Sequence, residues 1–90
     1  MKTSDLIAMA NPAYHVVRRF QHLVREIEAA LLSNAHFRTL CEDYGEAVDA
    51  LSHWERSTHP QKDERCAEYR KLLRDLEGEI LLEIQSRSVP

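Results

Sequence analysis

Breakers are scarce in this chain: ninety residues hold two glycines and three prolines. With 43% hydrophobic and 30% charged residues, the balance excludes a disordered chain and suits folded helices. Long apolar runs are missing too. Nothing approaches the roughly 18 apolar residues a membrane span requires, so no membrane partner is expected. The opening stretch, Met1 to Ala10, is too short and too polar for a signal-peptide core and reads as a loosely ordered terminus. Basic excess is also absent. A formal charge of −3 argues against a general nucleic-acid or acidic-membrane binder. There is no internal repeat and no low-complexity segment. The length allows one domain, residues 1–90, whose stability is marginal unless packing is efficient or subunits associate.

The two cysteines, Cys41 and Cys66, lie on the two arms of an expected helical hairpin turning near His59. Their offset of about eleven residues separates them by on the order of 16 Å along the helix axis. A disulfide needs Cα atoms within about 7 Å. Free thiols are therefore expected, which suits a reducing cytoplasm.

What the chain does have is helical spacing. Asn11-Pro12 is a start signal, a capping residue followed by proline where no amide hydrogen is needed. From there Val17, Phe20, Val24, Ile27 and Leu31 recur at intervals of three and four, with Val16, Leu23 and Leu32 on the flanks. So broad an apolar arc touches two neighbours. Ser33-Asn34 is a junction where both residues cap helices well, and a break or sharp kink is expected there. One continuous helix to Arg56 is the alternative, since neither Gly nor Pro interrupts the pattern. The next arm carries Phe37, Leu40, Tyr44, Ala47, Leu51 and Trp54, with Glu42, Asp43, Glu46 and Asp49 on its exposed side. Ser57 to Gln61 forms the turn, and Pro60 marks the start of the last helix, whose first turn holds Asp63 and Glu64. That helix presents Cys66, Tyr69, Leu73, Leu76 and Ile80, broadened by Leu72, Leu81, Leu82 and Ile84.

The spacing predicts helices over about 12–32, 35–56 and 61–85. Folding the second arm on the third pairs Leu51 with Tyr69, Val48 with Leu72 and Leu73, Tyr44 with Leu76, and Leu40 with Ile80. It sets Gly78 against Cys41, where it would leave room for the Tyr44 ring. It also sets Arg70, Lys71 and Arg74 opposite Glu46 and Asp49. Residues 85–90 read as a frayed tail.

Ala35-His36-Phe37, Leu40, Tyr44, Leu51 and Glu55 in one arm, with Tyr69-Arg70-Lys71, Leu76 and Glu79-Ile80 in the other, resemble the YdcH-like family. These are small bacterial helical proteins of unknown function, and the likeness covers roughly Asn34 to Glu83. The chain departs from the pattern at Val48, where an acidic residue is usual, and at Glu77-Gly78, where Lys-Asp is usual. The resemblance implies a helical hairpin. It carries over no activity and no catalytic residue, and it does not account for the segment before Ser33.

Chemistry-bearing residues were weighed against plainer roles. His15 and His22 share a helical face, and Asp49-His53 and Glu55-His59 are each four apart. A tight metal site needs three or four converging ligands, and His-Glu-x-x-His, Glu-x-x-His and Cys-x-x-Cys are all missing, so no metal and no cofactor are expected. Cys41, with His36 or His53 as an imagined base, sits on the apolar stripe and reads as buried filler. Cys66 is nearer the turn and more open to reaction, but lacks an activating base. The carboxylates Glu42, Asp43, Glu46 and Asp49 read as a solvated face.

The sequence therefore points to an all-α fold: an antiparallel helical hairpin plus an N-terminal helix, either a three-helix bundle or a helical homo-oligomer. No catalytic residues are assigned and no enzymatic activity is expected. The expected role is a small cytoplasmic protein–protein interaction module, an adaptor or regulator, with a protein partner or self-association as a homodimer. Its candidate interface is Val16, Phe20, Leu23, Leu32, Leu72, Leu81 and Leu82. The alternative is a nucleic-acid-associated regulator using the basic stripe Arg65, Arg70, Lys71 and Arg74.

Overall fold

The computed structural model describes residues 13–88, with side chains from Ala13 to Ser86. The expected helix start at Asn11-Pro12 and the loose terminus Met1 to Ala10 lie outside these residues, as do Val89 and Pro90. The fold is all-α. In order, α1 spans Tyr14–Arg19, a 3₁₀ turn spans Gln21–Leu23, α2 spans Val24–Ser33, α3 spans Ala35–Glu55 and α4 spans Lys62–Ser88.

The hairpin of α3 and α4 is the frame. Its ends are set by local chemistry. Asn34 leaves helical geometry (φ −142°, ψ 104°), and its Oδ1 accepts the Phe37 amide hydrogen at 3.1 Å, capping α3. The expected break at Ser33-Asn34 is present. At the other end the Ser57 hydroxyl accepts the His59 amide hydrogen, while His59 Nδ1 accepts that of Gln61, each at 3.0 Å. These side chains satisfy donors that a tight turn would otherwise leave open. Contrary to the expected frayed tail from Gln85, α4 continues to Ser88.

Contacts across the hairpin are compatible with the expected register: Tyr44 meets Glu77, and Asn34 and His36 meet Glu83. Phe37, Leu40, Cys41, Tyr44 and Ala47 of α3 are buried against Leu76, Ile80 and Ile84 of α4. Two details of the pairing differ. Gly78 does not face Cys41; it is exposed, and a Cβ built there would meet nothing within 4 Å. The aromatic ring is accommodated without it. Arg70 pairs with Glu55 and Lys71 with Asp75, not with Glu46 or Asp49, because side-chain reach along the helices decides which charges meet.

The N-terminal segment covers one side of the hairpin: α1 packs on α3, and α2 touches both α3 and α4. The helix expected over 12–32 is broken in its middle. Phe20 (φ −124°, ψ 57°) interrupts it, and three residues of 3₁₀ turn follow. Neither Gly nor Pro causes this. With the break, Val16 and Phe20 on one side of it and Ile27 and Ala30 on the other all belong to the core.

Candidate functional site

Two polar arrangements tie the segment to the hairpin, one of them half-buried. The Tyr44 hydroxyl donates to Glu77 Oε2 at 2.7 Å, and Arg19 Nε reaches the same oxygen at 3.3 Å. One carboxylate thus joins α1, α3 and α4. Burial, then the bond to Glu77, raises the Tyr44 phenol above its ordinary range, so it stays a neutral donor. His15 Nε2 lies 3.2 Å from Asp49 on α3.

The candidate nucleophile is unfit for that work. Burial, with the charge of Glu42 as a smaller cause, pushes the Cys41 thiol up to about 12. Cys66 is buried as well, contrary to the expectation that a place near the turn leaves it more open. Both cysteines are free. The histidine–carboxylate spacings do not assemble: Asp49 turns to His15 and Glu55 to Arg70. Among the described residues, no three His, Cys, Asp or Glu side chains converge as metal ligands would.

The sequence-derived interface divides. Val16 and Phe20 are core residues, buried by α1 lying on the hairpin, so they offer no free surface. Leu23 and Leu81 pack partly against that core. Leu32, Leu72 and Leu82 remain exposed, at 87%, 43% and 67%. Leu32 belongs to a shallow hollow with Glu28, Leu31 and Arg38. Of the basic stripe, Arg65 is bound by Glu68 at 3.0 Å, Arg70 by Glu55 at 3.2 Å and Lys71 by Asp75 at 3.1 Å. Arg74 is exposed and makes no ion pair among the described residues.

A further concavity lies between α3 and α4 themselves. It is a groove of about 400 Å³ lined by Asp43, Glu46, Ala47 and Ala50 from α3, and by Tyr69, Leu72 and Leu76 from α4. Among the described residues, α1 and α2 contribute nothing to it. Its origin is steric. Ala47 and Ala50 stand across from Leu72 and Tyr69, and their methyl groups are too short to fill the space between the helix backbones. In the sequence Ala47 looks like one more stripe position, and Ala50 lies off the stripe. Two alanines paired with large residues across the seam were the available signal.

No family model, no curated protein and no solved structure matches the chain.

Proposed function

We propose that this chain is a non-enzymatic protein-interaction module, an adaptor or regulator, whose binding face is the open side of the α3–α4 hairpin. The observation that carries this reading is the groove floored by Ala47, Ala50, Leu72 and Leu76, an apolar trough outside the face that α1 and α2 cover. A helical hairpin with one side covered and one side concave offers a ready seat for a third helical element. The Cys41 thiol held in its protonated form and the dispersal of the histidines support a binding role over a catalytic one. Two buried free thiols suit a reducing cytoplasm. The hairpin over α3 and α4 is also the arrangement that the YdcH-like resemblance implies.

Self-association through Leu32 and Leu82 is the second reading, favoured by their exposure on a chain this small. The nucleic-acid reading is less favoured, because carboxylates already engage three of its four cations. No described helix is long and apolar enough to cross a membrane.

The test is site-specific photocrosslinking in the native cells, with the reactive side chain placed at position 72 in the groove or at position 74 on the far side of α4. A discrete adduct with another protein from position 72 and none from position 74 is the expected result. Equal labelling from both positions, or none from position 72, refutes the reading.

A further inference from the structure

Resting on that binding face, we infer that the occupant of the α3–α4 groove is a basic amphipathic helix of another protein. Size and shape select a helix. The lining residues run from Asp43 to Ala50 and from Tyr69 to Leu76, about two helical turns on each side. Such a trough takes apolar anchors spaced three, four and seven residues apart, and the alanine floor lets a second helix backbone approach closely.

Charge then selects the kind of helix. Asp43 and Glu46 line the α3 edge of the groove. Glu79 stands one turn beyond Leu76 on the same side of α4 and is exposed. None of these three carboxylates makes a hydrogen bond or ion pair among the described residues. The other charges near this side of α4 are self-neutralised, Arg65 by Glu68 and Lys71 by Asp75. Glu83, one turn past Glu79, is engaged by Asn34 and His36. The groove therefore has unpaired negative charge along its α3 edge, with Glu79 adding more one turn beyond its lining on α4. Lysines or arginines flanking an apolar stripe complete it, raising the association rate and fixing orientation. A second copy of this chain does not fit the same face: it brings an equally concave groove and the same three carboxylates, so neither shape nor sign is complementary.

The test uses the full chain as bait for a displayed library of randomised amphipathic helices about four turns long, with apolar positions fixed and flanking positions free. The expected winners carry Lys or Arg at the flanks. They lose binding by at least about tenfold to the double variant Asp43→Asn, Glu46→Gln, weaken as salt is raised, and fail to bind Leu72→Glu. Leu72 is exposed, so that variant keeps its fold, checked by its thermal midpoint. Winners with neutral or acidic flanks that still require Leu72 overturn the basic occupant while leaving the binding face intact. Selection that returns no binder sensitive to Leu72→Glu overturns both. A dimer of the chain that Leu72→Glu converts to monomer puts a second copy in the groove and overturns the inference.

Discussion

Replacing Gly78 by alanine tests the packing of the hairpin through the sign of its effect. Gly78 lies inside α4, with helical backbone and open space where a Cβ would stand. A glycine in an exposed helix interior is less favourable than alanine by about 0.8–1.0 kcal/mol, because it loses more backbone freedom on folding. Nothing local offsets that cost, since the added methyl meets no neighbour within 4 Å. Gly78→Ala is therefore expected to stabilise the protein by about 1 kcal/mol, raising the thermal midpoint by about 3–8 °C in a domain of this size. Urea unfolding followed by circular dichroism measures it, with the denaturant slope unchanged. The expected facing of Gly78 on Cys41 makes the opposite forecast. There Gly78 faces Cys41 beside the Tyr44 ring, and a methyl pressed into that contact costs about 1–3 kcal/mol. A destabilised Gly78→Ala refutes the exposed placement of this residue.

Other perturbations follow from the polar joints and the buried thiol. Tyr44→Phe removes the donor to Glu77 and is expected to cost about 1–2 kcal/mol, below the upper range for a charged partner because Glu77 keeps some contact with water. A double-mutant cycle of Tyr44→Phe with Arg19→Ala should be non-additive, and strict additivity in urea unfolding counts against a shared carboxylate. Above the ordinary thiol pKa of 9.0 the unfolded chain loses the Cys41 proton while the folded chain keeps it to about 12. Stability therefore falls as pH rises through that window, by up to about 1.4 kcal/mol per pH unit from this group. Cys41→Val should flatten the slope measured by urea titrations from pH 9 upward, without abolishing it, because the pKa of Tyr44 is raised as well. Asn34→Ala removes the α3 cap and its bond to Glu83 and should cost about 1–2 kcal/mol by the same assay.

How much of this was legible beforehand varied with the physics behind each feature. The hairpin was readable because large residues at three- and four-residue spacing dictate which sides of α3 and α4 meet. Asn34 was readable as a break because its amide side chain caps a helix better than it continues one. The interruption at Phe20 was not, since no breaker stands there. Its backbone geometry is imposed by packing that involves residues far along the chain. Charge pairing was misread for a related reason. Spacing places Arg70 near Asp49, but a long flexible side chain takes a well-oriented carboxylate within reach, here Glu55. The candidate interface was half legible: exposed Leu72 belongs to the groove, whereas Val16 and Phe20 belong to the core. Flank positions of a broad apolar arc look alike until the neighbouring helix is placed. The groove was hidden because it is made by missing volume at Ala47 and Ala50, and apolar patterning counts alanine as though it filled space.

Asn34 does two separate jobs with its two bonds. Its Oδ1 holds the beginning of α3, and its Nδ2 donates to Glu83 Oε2 at 3.2 Å near the end of α4. An aspartate at this position would keep the oxygen acceptor and replace the nitrogen donor with a second carboxylate oxygen. Aspartate still caps a helix, so α3 would begin where it does now. Facing Glu83, however, the new carboxylate repels where the amide binds. One atom of the Asn34 side chain thus sets where a helix begins and another holds shut the end of the hairpin farthest from its turn, so the two jobs are separable by a single exchange of nitrogen for oxygen.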